Sequence, residues 1–185
     1  MYKQGDPGNG IGGYDLLSTA DSAFAFDYDG SGKMDYVTLF RPGKGSISIL
    51  QHDGNNFVPV YHEGDSGNGI GGFDLLSPVD SAFAFDYDSV GRQDHLVLYR
   101  PGTGMFWIIK NINSTFTPVY GQNKPGLGIA GYNVKSPRDL GYAFDYAQSG
   151  KLDHIVLYQP GTGAFYIIQS HEFNDLIYSV SKDWM

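Results

Sequence analysis

Residues 64–72, GDSGNGIGG, contain the letters of two enzyme motifs. GDSG matches the surroundings of a serine-protease nucleophile, and the glycines have the G-x-G-x-x-G spacing of a dinucleotide-binding loop. Ser66 aligns with Pro7 and Pro125 in two equivalent stretches, and proline has no nucleophilic hydroxyl. No copy follows a long apolar strand and opens a helix, which a phosphate-binding loop requires. The glycines are therefore predicted to supply backbone conformations with positive φ in a long loop.

An aspartate-rich loop also occurs three times, at residues 27–35, 86–94 and 145–153. Oxygen ligands at alternate positions around a glycine suit calcium, which takes about 6–8 oxygens. The candidate calcium ligands are Asp27, Asp29, Ser31 and Asp35 in the first loop and, as a poorer set, Asp86, Asp88 and Asp94 in the second. The alternative is structural: the aspartates accept hydrogen bonds from backbone amides in a tight hairpin, and a nearby Lys or Arg offsets their charge. No required cofactor is predicted.

Composition limits the classes of partner. The 185-residue chain has a formal net charge of -8 and no cysteine. That charge disfavours nucleic acid and anionic lipid, and the lack of thiols excludes disulfides. The N-terminus has no apolar h-region, and no apolar run reaches the roughly 18 residues of a membrane helix. The chain is expected to be cytoplasmic, or released without a signal peptide, and not to insert into a membrane.

The three aspartate loops belong to one repeated unit. Asp27, Asp86 and Asp145 recur at a constant step of 59 residues, and the turns FRPGKG, YRPGTG and YQPGTG keep the same step. Such a period indicates a repeat architecture. The predicted organisation is a single repeat domain with units at residues 2–60, 61–119 and 120–178, followed by a tail at residues 179–185.

Alternation of residue types within a unit predicts β-strands. In the second unit these strands are SAFAFDYD at residues 81–88 and the segments 95–100, 105–110 and 116–120. Apolar side chains fall on both faces of the strands, so each sheet must be covered on both sides. Stacked four-stranded blades of a β-propeller provide that cover. The predicted fold class is all-β with three blades per chain, and a β-trefoil is the alternative.

The segments FDYDGSGKMDYVTLFRPGKG and DHLVLYRPGTGMFWIIKN resemble the blade repeats of FG-GAP/VCBS-type propellers. They are most similar to the Photorhabdus-type bacterial lectins and more distantly similar to the Psathyrella velutina lectin. This resemblance extends over residues 2–178. It implies shallow glycan pockets between blades, for fucose or methylated sugars in the bacterial group and N-acetylglucosamine in the fungal one. It also implies calcium in the aspartate loop of the fungal type only.

The number of blades differs from that family. Its lectins have about seven blades per chain, and ring closure is known for about 4–8 blades. Three blades cannot close a ring, so the predicted assembly is a closed homodimer with six blades and two-fold symmetry.

Sugar binding requires an aromatic ring for stacking and polar side chains for hydrogen bonds. Trp107 and Tyr166 occupy equivalent positions on the third strands, where the first unit has Ser48. The predicted carbohydrate-binding residues are Trp107, Tyr166, Arg100, Gln159, His95, His154 and Asn68. Asn9, Asp15 and Asp74 are further candidates, and the alternative for the aromatic residues is packing between blades. Asp94 and His95 are expected to point to opposite faces of a strand, which disfavours an acid–base pair.

The predicted function is a multivalent lectin that binds terminal sugars such as fucose. The alternative is a protein-interaction scaffold with calcium-stabilised loops. An enzyme is not predicted, because no pair of nucleophile and base recurs across the units. Under the lectin hypothesis, Trp107→Ala should weaken glycan binding without unfolding the protein.

Overall fold

The computed structural model describes residues 8–64, 66–123 and 126–170, together with residue 3. These residues contain eleven β-strands in three antiparallel sheets. The first sheet contains β1 (Ser22–Phe26), β2 (Tyr36–Arg41), β3 (Ser46–His52) and β4 (Phe57–Glu63). The second contains β5 (Ser81–Phe85), β6 (His95–Arg100), β7 (Met105–Ile112) and β8 (Thr115–Gln122). The third contains β9 (Leu140–Phe144), β10 (His154–Gln159) and β11 (Ala164–Gln169).

The all-β class and the four strands of the second unit are confirmed. Neighbouring strands in each sheet are consecutive in the sequence, and within the described ranges no strand pairs with one from another sheet. The first and second sheets end at Glu63 and Gln122, beyond the unit ends predicted at residues 60 and 119. The predicted fourth strand of the third unit and the tail at 179–185 lie outside the described residues. In the described part of the chain, no helix has the length and apolarity that a membrane crossing needs.

Consecutive sheets pack on each other through two hydrophobic clusters. β1 contacts β5, and β5 contacts β9, so the first strands of the sheets lie side by side. The first cluster joins the first sheet to the second and includes Phe26, Phe40, Ile47, Ala84, Leu98 and Ile109. The second cluster joins the second sheet to the third and includes Phe83, Phe85, Tyr99, Ile155, Leu157 and Ile168. Burial of these side chains on both faces of the second sheet explains why its strands carry apolar residues at successive positions.

The glycine-rich loop of one unit is held on a turn of the preceding sheet. The amides of Gly43 and Gly45 donate to the carbonyl of Leu75 at 2.9 and 3.1 Å, and Gly69 donates to the carbonyl of Gly45 at 2.9 Å. Gly45 has a φ of 69°, and a Cβ there would lie 2.1 Å from the Gly67 carbonyl oxygen. Glycine is thus required by the close approach of two backbones, and Gly69 also has the predicted positive φ, of 73°.

Candidate functional site

A buried arginine at the end of β2 organises the loop that precedes the first sheet. Arg41 Nε donates to Asp21 Oδ1 at 2.7 Å, Nη2 donates to Asp21 Oδ2 at 3.0 Å, and Nη2 also donates to Asp15. The guanidinium carbon lies 5.4 Å from the centre of the Tyr14 ring. The hydrogen bonds to Asp21 and Asp15 raise the pKa of Arg41, and the one from Arg41 lowers the pKa of Asp15. The guanidinium is therefore charged and fixed in place.

A cleft of about 200 Å³ opens beside this arginine. The ring of His62, which lines the cleft, is fixed by the buried Ser48, whose Oγ lies 2.7 Å from His62 Nδ1. The Asp15 side chain is half exposed, so one wall of the cleft meets solvent. The lining residues are Gly13, Tyr14, Asp15, Arg41, Ser46, His62 and Gly64. The cleft thus combines a carboxylate, a guanidinium, a hydroxyl and an imidazole with an aromatic residue.

The second sheet has the same arginine but fills the corresponding space with tryptophan. Arg100 Nε donates to Asp80 Oδ1 at 2.6 Å, and Nη2 donates to Asp74, so this guanidinium is already bound. Trp107 replaces Ser48, and its ring meets Phe73 edge-on with centroids 6.2 Å apart. The indole Nε1 is buried and has no hydrogen-bond partner among the described residues. This half-buried tryptophan packs under the loop of its own unit.

The third sheet departs further from this arrangement. Gln159 stands where the other sheets have arginine, and the buried Asp139 instead accepts a hydrogen bond from the Tyr132 hydroxyl at 2.7 Å. Tyr166 meets the Tyr132 ring edge-on, with centroids 5.0 Å apart. Tyr166 is half-buried, as Trp107 is.

The structure places the predicted sugar-binding residues on two faces of their sheets. Leu98 pairs with Trp107 and Arg100 pairs with Met105, so Trp107 and Arg100 share a face. His95 pairs with Lys110 on the opposite face and is fully buried. In the third sheet, Gln159 and Tyr166 likewise share a face, and the buried His154 lies on the other. Asn68 is exposed, and its backbone amide donates to Glu63 at 3.3 Å.

The expectation that Asp94 and His95 point apart is wrong. His95 Nδ1 lies 2.7 Å from Asp94 Oδ1, and His154 Nδ1 lies 2.8 Å from Asp153 Oδ1. Each aspartate precedes its strand, so the alternation of side chains along a strand does not apply to it. All four side chains are buried, so these pairs offer little surface to a ligand.

The first aspartate of each loop accepts hydrogen bonds from backbone amides, as the structural alternative predicted. Asp27 accepts from Ser31 at 2.9 Å and Gly32 at 2.8 Å. Asp86 accepts from Val90 and Gly91, and Asp145 accepts from Ser149 and Gly150, at 2.6 to 3.0 Å. In the first loop, Asp29 also accepts from the Ser31 amide at 3.1 Å, whereas Asp35 is exposed. These bonds stabilise the hairpins, and calcium binding by the first loop stays a prediction.

A lysine of β7 contacts the carboxylates of the second loop. Side-chain ligand atoms of Asp88, Asp94 and His95 lie within 4.8 Å of one another. Lys110 Nζ lies 2.5 Å from Asp88 Oδ2 and 3.3 Å from Asp94 Oδ2. Burial lowers the pKa of Lys110, and the bonds to the two carboxylates raise it by more. The charged ammonium therefore neutralises these carboxylates, and calcium binding by the second loop stays a prediction.

Lys110→Gln tests this internal cation, because glutamine stands at the equivalent positions 51 and 169. The variant leaves the buried Asp94 without its cation, so we expect the free energy of unfolding at pH 7 to fall by about 1–3 kcal/mol. Urea denaturation measures this loss, and added calcium should restore part of it. Arg92→Gln is the matched control, since Arg92 is an exposed cation of the same loop. Equal losses in the two variants would contradict the assignment.

Comparison of the chain with protein-family models, curated proteins and solved structures finds no match. The fold and the site define the class only as an all-β repeat protein with three consecutive antiparallel sheets and a polar cleft. The resemblance to FG-GAP/VCBS-type lectins stays a prediction that rests on the sequence motifs.

Sequence reasoning missed most of the cleft. It considered Asp15 but not Tyr14, Arg41, Ser46 or His62. A signal was available: Ser48 occupies the position of Trp107 and Tyr166, and a small residue there leaves space. The lack of an aromatic side chain at position 48 therefore indicates which unit has an open cleft.

Proposed function

We propose that the protein is a non-enzymatic lectin that binds a terminal sugar, such as fucose, in the cleft beside Arg41. The observation that carries the proposal is the set of groups that converge there: Asp15, Arg41, Ser46 and His62 around one opening of about 200 Å³. A sugar ring offers hydroxyls that both donate and accept hydrogen bonds. The Asp15 carboxylate can accept hydrogen bonds, and the Ser46 hydroxyl and the His62 imidazole can each donate or accept them, so the cleft matches that pattern.

The charge of the cleft favours a neutral ligand. Arg41 is bound by two carboxylates, Asp15 and Asp21, so the three groups together carry excess negative charge. An anionic ligand would be repelled by that excess. The half-exposed Asp15 keeps one side open to solvent, which suits the end of a glycan chain better than an enclosed small molecule.

A β-propeller is the fold that we propose for this lectin, with each sheet as one blade and two chains completing a six-bladed ring. The first strands of the three sheets lie side by side, as inner strands of a propeller do, and each sheet covers one face of the next. A β-trefoil would instead bring strands of different repeats into one barrel. A ring in which both chains bind sugar beside Arg41 would present at least two sugar sites, which would raise avidity for glycan-bearing surfaces.

Asp15→Asn tests the proposed site. The substitution removes the carboxylate acceptor and preserves the shape of the side chain, so we expect sugar affinity to fall at least about tenfold, or about 1.4 kcal/mol. A glycan array would identify a ligand, and titration calorimetry would compare the variants. Asp74→Asn is the matched control, because Asp74 makes the same bond to Arg100 beside the tryptophan-filled position. It should leave affinity unchanged.

Two outcomes would count against this proposal. Equal loss of affinity in both variants would assign the effect to the fold and not to the cleft. A folded protein that binds no glycan on the array would favour the scaffold alternative.

A further inference from the structure

The third sheet is the last of the described sheets, and one of its faces exposes aromatic side chains. The equivalent side chains of the second sheet are buried. Tyr142, Phe144 and Phe165 are 39–45% exposed, whereas their equivalents Phe83, Phe85 and Phe106 are at most 9% exposed. Phe83 faces the third sheet, where its Cε1 lies 3.6 Å from the position of a Cβ on Gly141. We call Tyr142, Phe144, Phe165 and the turn at residues 160–163 the tail surface.

The first sheet presents the complementary surface at the other end. Ala23 and Ala25 of β1 are exposed, whereas their equivalents Ala82 and Ala84 of β5 pack in the cluster between the first two sheets. Leu16 is 45% exposed, whereas its equivalents Leu75 and Val134 are fully buried. We call Leu16, Ala23, Ala25 and Met34 the head surface.

Leu16 already has the backbone conformation of a docked residue. Its φ is 52°, and Leu75 and Val134 have φ values of 52° and 49°. Positive φ is costly for a leucine or a valine. In Leu75 and Val134 this conformation directs the carbonyl to two glycine amides of the preceding sheet. Leu16 has the same conformation in the first unit, where the described residues include no preceding sheet.

Hydrogen bonds between consecutive sheets of the chain indicate which atoms would meet in a contact between two copies. The Leu75 carbonyl accepts from Gly43 and Gly45, and the Val134 carbonyl accepts from Gly102 and Gly104 at 3.0 and 3.1 Å. The corresponding glycines of the third sheet, Gly161 and Gly163, are exposed.

A second set of bonds lies at the other end of the strands. The amides of Asp27 and Asp86 donate to the carbonyls of Gln93 and Leu152, both at 3.1 Å. The equivalent donor in the third unit is the Asp145 amide. The equivalent acceptor in the first unit is the carbonyl of Met34, an exposed residue.

We propose that the tail surface of one chain binds the head surface of a second copy, through the same contacts that join the sheets within a chain. The Gly161 and Gly163 amides of one copy donate to the Leu16 carbonyl of the other, and the Asp145 amide donates to the Met34 carbonyl. Tyr142 packs on Ala23 as Phe83 packs on Gly141. This inference deepens the proposed ring and does not depend on sugar binding.

A second copy is the occupant that matches both surfaces. Among the described residues, one sheet-to-sheet contact occurs twice, and the first and third sheets each present one half of that contact that no other described sheet covers. A head-to-tail contact of this kind is heterologous, so a pair of copies forms two such junctions when it closes. An unrelated partner would have to reproduce both the apolar fit and the backbone bonds.

Docking leaves the cleft accessible. At the junction of the first and second sheets, which is already formed, Gly72 is exposed and the Asp74 side chain is 46% exposed. These residues are the equivalents of Gly13 and Asp15, which line the cleft. The sugar site therefore stays open in the docked pair, and oligomeric mass and sugar binding can be measured as separate properties.

The test uses one variant per surface. Tyr142→Arg blocks the tail surface, and Ala23→Arg blocks the head surface; both positions are exposed, so both variants should fold. By light scattering after gel filtration, we expect the unmodified protein to have twice the 20.3 kDa mass of the chain. Each variant alone should have the monomer mass, because each lacks one half of the contact.

An equimolar mixture of the two variants distinguishes a head-to-tail contact from a self-complementary one. The mixture should regain the dimer mass, since one intact tail surface and one intact head surface form a single junction. Leu17→Lys is the control; Leu17 is exposed beside Leu16, and lysine is the residue at the equivalent position 135, so the dimer mass should persist. A monomeric unmodified protein, or a folded variant that dimerises alone, would overturn the proposal.

Discussion

Exchanging two residues that line the cleft, together with the adjacent Ser48, for their counterparts in the second sheet is expected to abolish measurable sugar binding. The variant Ser46→Met, Ser48→Trp, His62→Gly places an indole where the cleft opens, as Met105, Trp107 and Gly121 do in the second sheet. The two sheets have the same register, because Leu39 pairs with Ser48 as Leu98 pairs with Trp107. The indole should therefore lie over Gly13 as Trp107 lies over Gly72, where a Cβ would be 3.4 Å from Cζ3. Titration calorimetry measures the loss, and thermal unfolding checks the fold.

The reverse exchange is the matched control for this result. Met105→Ser, Trp107→Ser, Gly121→His should open a second cleft beside Arg100, and the number of sugars bound per chain should rise from one to two. The sequence alone gave a different prediction, that Trp107 stacks on the sugar and that Trp107→Ala weakens binding. Retained binding after the first exchange, together with lost binding in Trp107→Ala, would decide for that hypothesis and against the cleft.

The strands were predictable because the repeat shows each pattern three times. Alternation of alanine with phenylalanine at residues 81–85 identified β5, and the spacing of the RPG turns identified the strands on either side of them. The ends of the units were less predictable. A period of 59 residues sets the length of a unit but not where it starts, so the predicted boundary at residue 60 cuts β4, which continues to Glu63.

The site was harder to predict because it depends on burial and on occupied hydrogen bonds. Arg100 has the chemistry of a sugar ligand, but Asp80, twenty residues earlier, already binds its guanidinium. His95 also has suitable chemistry, yet it is buried on the opposite face from Trp107. The aromatic residues Trp107 and Tyr166 mark positions where the space is filled. The cleft lies beside His62, whose ring contacts Ser48, the residue that stands where the other units have Trp107 and Tyr166.

Removing the Arg100 guanidinium is expected to cause the largest loss of stability in the second sheet. The Asp80 side chain is fully buried, and burial raises its pKa even with Arg100 in place. Arg100→Gln would leave that carboxylate without its cation, so we expect the free energy of unfolding at pH 7 to fall by about 3–5 kcal/mol. Urea denaturation, followed by circular dichroism, measures the loss.

The third unit supplies the control, since it combines glutamine with a buried aspartate and a tyrosine. Asp139 accepts from the Tyr132 hydroxyl at 2.7 Å, whereas the second unit has Phe73, which cannot donate. Adding Phe73→Tyr to Arg100→Gln should therefore restore about 1.5–3 kcal/mol, the usual contribution of a hydrogen bond to a charged group. The same substitution in the unmodified protein should have a smaller effect, because Arg100 already binds Asp80.

The pH dependence identifies the carboxylate as the source of the loss. A carboxyl group whose pKa is raised in the folded state destabilises that state above this pKa, and the penalty shrinks as the pH falls through it. The loss in Arg100→Gln should therefore be smaller at pH 5 than at pH 7. A loss of the same size at both pH values would show that Arg100 acts through the packing of its side chain on Phe73, where the guanidinium carbon lies 5.4 Å from the ring centre, and not through its charge.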